Sequence, residues 1–220
     1  MAEKNRKHRH IHQPVSEGNL LTATLLNLVI SIVEIAGGML SNSLALLSDA
    51  LHNLSDSFST FIAYIATRIG KRPPTSKKTF GFKRVEILAA MLNAVILIII
   101  CFYLFKEAWE RLQNPEPVKS LIVIVVAMIG LIANVLAVAL LRKDSKKNIN
   151  VKAAYVHLIG DSLSSVVVIL AAAAIQLFEI YWLDPVITVL IGLYLIRESY
   201  LILKESVNIV MQSTPKHLDI

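Results

Sequence analysis

Cysteine is almost missing from this 220-residue chain, and charge is scarce and bunched. The single thiol, Cys101, sits inside an apolar run, which excludes a disulfide framework and a cysteine-rich metal site. No G-x-x-x-x-G-K-[ST] run occurs, so a nucleotide pocket of that kind is excluded. No His-Glu-x-x-His occurs either, which removes the usual helical signature of a zinc hydrolase. Charged residues make up 17% of the chain against 55% hydrophobic, leaving no room for a second large soluble domain. What remains is an integral membrane protein. Its net charge of +6 does not point to nucleic acid, because the basic residues lie between apolar segments rather than on one helix face. They read as topology signals and contacts to anionic lipid in the bilayer.

Six apolar segments of spanning length are expected near 19–40, 43–69, 84–109, 119–141, 151–178 and 185–206. The tail at 1–18 is basic and contains His8, His10 and His12; it reads as solvated chain. It is not a signal peptide, because the apolar region behind it is too long and contains Glu34. Lys and Arg number four in that tail, seven in the second-to-third connection and five in the fourth-to-fifth. The first-to-second and fifth-to-sixth connections have none, and the third-to-fourth has only Lys106, Arg111 and Lys119 nearby. The positive-inside rule therefore predicts both termini in the cytoplasm.

The stretch SLALLSDALHNLSDSFSTFIAYIA (43–66) organises the rest. At helical pitch its Asp49, His52, Asn53 and Asp56 fall within an arc of about 100°. Ionisable side chains at bilayer depth are expensive and face a bundle interior where they bind or move something. The stretch VHLIGDSLSSVVVILAAAA (156–174) repeats the pattern: His52-x-x-x-Asp56 is matched by His157-x-x-x-Asp161. With the predicted topology, spans two and five are antiparallel, as in two inverted three-span halves. His157 is then expected near the level of Asp56, and Asp161 near that of His52. Asn27, Ser31 and Glu34 stripe span one, and Gly130 and Asn134 share a face of span four. The expected fold is all-α, with spans one, two, four and five as a polar-lined four-helix bundle and spans three and six peripheral.

An i, i+4 pair points both side chains the same way, one turn apart. Imidazole and carboxylate together suit zinc, and two such pairs on facing helices supply the four ligands a tetrahedron needs. The rival reading is two separate buried His–Asp hydrogen bonds that pin helices together. Asp49 has three readings: a fifth ligand, an entrance carboxylate, or a partner that holds an imidazole nitrogen or caps polar groups; the last is favoured. Glu34 is read as a proton carrier or a helix-pairing hydrogen bond. The serines after each Asp read as small residues that permit close packing.

SLALLSDALHNLSD, KTFGFKRVEILAAMLNA, NVKAAYVHLIGDSLSS and YWLDPVITVLIGLYLI resemble the cation diffusion facilitator family of metal/proton antiporters. The resemblance covers nearly everything from residue 19 onward. It implies a six-helix membrane domain, a homodimer, and export of zinc and related divalent ions from the cytoplasm in exchange for protons. Zinc is then cargo, with no resident cofactor. The family's central site falls on His52, Asp56, His157 and Asp161, and His at the first position resembles zinc-preferring members. Family members usually continue into a cytoplasmic domain; VNIVMQSTPKHLDI (207–220) is expected to be its first residues, followed by truncation. The expected location is a bacterial plasma membrane. Rivals from other classes are an intramembrane zinc-dependent hydrolase and a non-transporting metal-sensing subunit.

Overall fold

A computed structural model describes residues 17–70, 84–142, 144–146 and 149–212. Six long helices run in order: α1 (Glu17–Ser41), α2 (Leu44–Gly70), α3 (Arg84–Gln113), α4 (Ser120–Leu141), α5 (Ile149–Phe178) and α6 (Leu183–Val210). A short 3-10 turn at Asp144–Lys146 precedes α5, and no strand occurs among the described residues. Most bounds fall close to the expected ones; α3 and α6 each run four residues further. The basic tail, most of the second-to-third connection, much of the fourth-to-fifth, and residues 213–220 lie outside the described residues.

Helix is the only open-chain solution for such runs in lipid, where each backbone N–H and C=O must find its partner within the segment. The shortest of the six, α4, has 22 residues, about 33 Å at the helical rise, which exceeds a hydrocarbon core of about 30 Å. Five of the six are long and apolar enough to cross a membrane on composition. The exception is α2, whose 27 residues suffice in length while its acids, amide, histidine and serines lower its apolarity. The expectation of an apolar segment at 43–69 is thus corrected: the helix is long enough to span but not apolar enough by itself. α2 is shielded instead by α1, α3, α5 and α6, which all pack against it.

α1, α2, α4 and α5 close a four-helix bundle through the pairs α1–α2, α1–α4, α4–α5 and α2–α5. α3 and α6 pack on each other and lean on α2 from outside. Small residues set the spacing: a Cβ at Gly37 on α1 would come within 2.8 Å of Val126 on α4. Outward faces are apolar, as with Leu163, Leu170 and Leu177, exposed at intervals of seven along α5. So much exposed hydrocarbon marks a lipid-facing surface, and the protein is a multi-pass integral membrane protein.

One end of the bundle is locked by polar bonds. Asn42 turns the chain between α1 and α2 with φ of 60°, a left-handed conformation that Asn tolerates. Arg111 at the end of α3 donates to Asn42 O (2.7 Å) and Asn42 Oδ1 (2.8 Å). Asp184, buried at the start of α6, accepts from Ser43 Oγ (2.6 Å) and from the backbone N–H of Leu44 (2.7 Å) and Ala45 (3.3 Å). A carboxylate on orphan N–H groups at a helix N-terminus is a cap, here supplied by another helix. Such charge-assisted bonds are stronger than neutral ones, so α2 is held firmly at this end.

Candidate metal site

Four side chains converge between α2 and α5. His52, Asp56, His157 and Asp161 each offer one ligand atom, and these atoms lie within 4.8 Å of one another. His157 Nε2 is 3.0 Å from Asp56 Oδ2, and His52 Nε2 is 3.6 Å from Asp161 Oδ1. Along each helix, His52 Nδ1 lies 3.3 Å from Asp56 Oδ2, and His157 Nε2 lies 3.7 Å from Asp161 Oδ2. Ligands at about 2.0–2.2 Å from a tetrahedral zinc are separated by about 3.3–3.6 Å; the four pair contacts lie near that spacing, while the set of one atom per residue spreads to 4.8 Å and would draw together around an ion. The two rings meet edge to face, with centroids 5.7 Å apart.

The pairing follows from antiparallel register. Stepping up α2 by four residues, from Asp56 to His52, steps along α5 by four, from His157 to Asp161. A further three residues lead to Asp49 on α2 and Ser164 on α5. Hence each His meets the Asp of the other repeat, as the sequence spacing leads one to expect. Asp161 and His52 are buried, Asp56 is half-buried, and His157 is exposed. Within the quartet, His52 Nδ1 and Asp161 Oδ2 are buried without any aligned hydrogen bond. A buried polar atom without a partner is costly, and a cation shared by the four groups would satisfy both atoms.

Asp49 joins no imidazole. It accepts from Ser164 Oγ and from Ser165 Oγ (3.3 Å), both on α5, so of its readings only the capping of polar groups matches its bonds. Ser164 and Ser165 are therefore donors and not merely small residues. Glu34 is fully buried and accepts from Asn53 Nδ2 at 3.0 Å, the helix-pairing bond between α1 and α2. Its other oxygen has no partner and lies against Gly130 of α4, in contact with where a Cβ would stand. A side chain at Gly130 would force the Glu34 carboxylate to shift. Asn27, Ser31 and Asn134 are buried in the same interior, with Asn27 Nδ2 reaching Asn53 O at 3.5 Å.

Sequence reasoning missed three participants. Asn93 on α3 donates to Ser55 Oγ (2.7 Å) and Ser59 Oγ (2.8 Å), tying α3 to α2 beside Asp56. Tyr194 of α6 stands edge-on to His52, with centroids 6.2 Å apart. Asp184 holds the start of α2. The signal for Asn93 was present as an amide at bilayer depth; the other two depend on where α6 packs.

A family model described as the cation efflux transmembrane domain matches residues 20–211. The "Cadmium, cobalt and zinc/H(+)-K(+) antiporter" of Bacillus subtilis (strain 168) is 42% identical over 86% of this chain and 61% of its own length. The "Zinc transporter ZitB" of Pectobacterium atrosepticum is 40% identical over 96% of the chain and 67% of its own length. The "Metal cation efflux system protein CzcD" of Cupriavidus metallidurans is 39% identical over 97% and 67% respectively. The chain thus spans between 61% and 67% of the length of these relatives.

Proposed function

Because the chain belongs to the cation efflux family, we propose that it is a secondary transporter exporting zinc from the cytoplasm in exchange for protons, with cadmium or cobalt as further cargo. Cargo binds at His52, Asp56, His157 and Asp161. The observation that carries the reading is the convergence of these four groups, one helical pair from each half of the chain, within 4.8 Å. Relatives named for zinc, cadmium and cobalt support the class of ion, and one named for proton and potassium exchange supports antiport. Membership in a family of efflux transporters sets the hydrolase reading aside.

The physics of export supports a coupled ion. Moving a doubly charged ion out of a negative-inside cell costs about 5 kcal/mol per 100 mV before any concentration gradient. The quartet can exchange one cargo for the other, because zinc requires neutral imidazoles and ionised carboxylates while protons require the reverse. His157, the more exposed imidazole, is the first choice of carrier and Asp161 the second. Both termini face the cytoplasm in this reading, in a bacterial plasma membrane, and a homodimer is the proposed assembly.

Zinc flux in proteoliposomes tests the proposal. An imposed proton gradient should accelerate zinc counter-movement, and a protonophore should abolish that acceleration. Flux indifferent to both would leave a passive pathway, and no flux at all with intact zinc binding would leave a metal-sensing subunit.

A further inference from the structure

A cavity of about 40 Å³ lies beside the quartet, lined by α2, α3 and α6 and by no residue of α5. At about 10–15 Å³ per water it has room for roughly three. It touches His52 and Asp56 but neither His157 nor Asp161. Its remaining polar wall includes Ser59 of α2, Asn93 of α3, and Glu198 and Ser199 of α6. The Asn93 amide nitrogen is already donating to Ser55 and Ser59, so among the described residues the charged groups lining this space are the carboxylates of Asp56 and Glu198.

Glu198 is out of place on a lipid-facing helix. A carboxylate at such depth is expensive and faces a wet or functional space. Its neighbour Arg197 holds it at 2.9 Å, an exposed pair on one helix turn of the kind that contributes little. Glu198 lies about 22 Å along α6 from its start, and Asp56 about 18 Å along α2 from its own. Both helices start at the end locked by Asp184. Glu198 therefore sits somewhat nearer the opposite end, where α1 begins and α6 ends.

We infer that this cavity is the route by which a divalent cation reaches the quartet from the end where α1 begins and α6 ends, with Glu198 as the carboxylate that receives it ahead of Asp56. The inference rests on the metal reading of the quartet. His52 and Asp56 ligate first, because they alone of the four border the cavity, and α5 then closes the site with His157 and Asp161. The carboxylate of Glu198 raises the local concentration of dications and hands them inward; the exposed Arg197 beside it is displaced from that oxygen by an arriving dication.

Zinc uptake kinetics in proteoliposomes test the assignment. Glu198→Gln should raise KM for zinc about tenfold, the scale of electrostatic focusing in a charged cleft, with kcat changed far less. Zinc stoichiometry by titration calorimetry should stay at the parental value. In a Cys101→Ala background, a Ser59→Cys thiol should react with a cationic methanethiosulfonate reagent, and zinc should slow the reaction. An unchanged KM overturns the role of Glu198, and an inert Ser59→Cys thiol overturns the route. Asp161→Ala separates these failures from failure of the quartet, since Asp161 does not border the cavity. If Asp161→Ala binds zinc like the parent, the quartet reading falls. If it loses zinc while Glu198→Gln keeps its KM, only the access assignment falls.

Discussion

Two polar layers lie a helical turn apart in the same bundle, and they treat their carboxylates in opposite ways. In one, Asp49 is met by the hydroxyls of Ser164 and Ser165, and Glu34 by the amide of Asn53. In the other, Asp56 and Asp161 are met by two imidazoles and by no hydroxyl or amide across the helix interface. Hydroxyl and amide donors are fixed partners: they hold a buried acid in place and cannot be titrated away. An imidazole offers a lone pair as readily as a proton, so the acids it faces stay available to a cation. Burial therefore does not mark the site, because Glu34 and Asp49 are as fully buried as Asp161. The chemistry of the neighbours does.

Removing one ligand is the harshest way to break the distinction. Asp161→Ala should lower zinc affinity at least about 100-fold by calorimetry, more than losing an outer partner usually costs. Asp56→Ala and His157→Ala should abolish transport while helix content stays near parental by circular dichroism. A variant that transports at the parental rate would remove that residue from the quartet.

The other layer should fail differently. Ser164→Ala with Ser165→Ala leaves Asp49 buried without donors, which should cost about 1–3 kcal/mol in stability on chemical unfolding. Zinc affinity should stay within about threefold, less than 1 kcal/mol. A loss of affinity on the scale of Asp161→Ala would instead enlist Asp49 in the metal set.

Acidity sharpens the contrast further. Protons compete with zinc for the imidazoles, so affinity should fall about tenfold or more as pH drops from about 7.5 to 6. Zinc binding should correspondingly release protons, seen as a buffer-dependent heat. Glu34→Gln should leave this pH slope intact, and a flattened slope would place Glu34 in the exchange.

The smallest effect expected is on selectivity. His52→Asp replaces nitrogen with oxygen and should shift the zinc-to-cadmium uptake ratio by roughly fivefold. An unchanged ratio would mean that helix spacing, not ligand type, sets preference.

Much of this was legible in the residues. Apolar runs of spanning length located all six helices, and the repeated His-x-x-x-Asp spacing brought the quartet together because equal steps on antiparallel helices stay matched. The partners of Asp49 were not legible in the same way. Helical pitch puts Asp49 and His52 on one face, but only the register of α2 against α5 decides whether an imidazole or a serine lies opposite. Ser164 and Ser165 carry no local mark separating a donor from a spacer. The roles of Asn93, Asp184 and Tyr194 depend on α3 and α6 leaning on α2, and apolar outer faces alone say little about which neighbour a helix chooses. α2 reads as a span by length, but its polar face is covered by the helices around it, which the residues alone do not show.

Asp184 makes α2 a lever. With its first residues bonded to α6 and the preceding turn bonded to Arg111, the helix is pinned at one end and can swing more easily than it can slide. Over 27 residues, about 40 Å, a tilt of about 10° about that fulcrum sweeps the far end by about 7 Å. The same tilt carries Asp56, about 18 Å from the fulcrum, by about 3 Å, and leaves residues 44 and 45 almost where they were. Three ångströms is as long as the shortest edge of the quartet, from His157 to Asp56. A rotation of that size at a fixed pivot would move Asp56 by the length of that edge while the bonds of Asp184 to Leu44 and Ala45 stay in place.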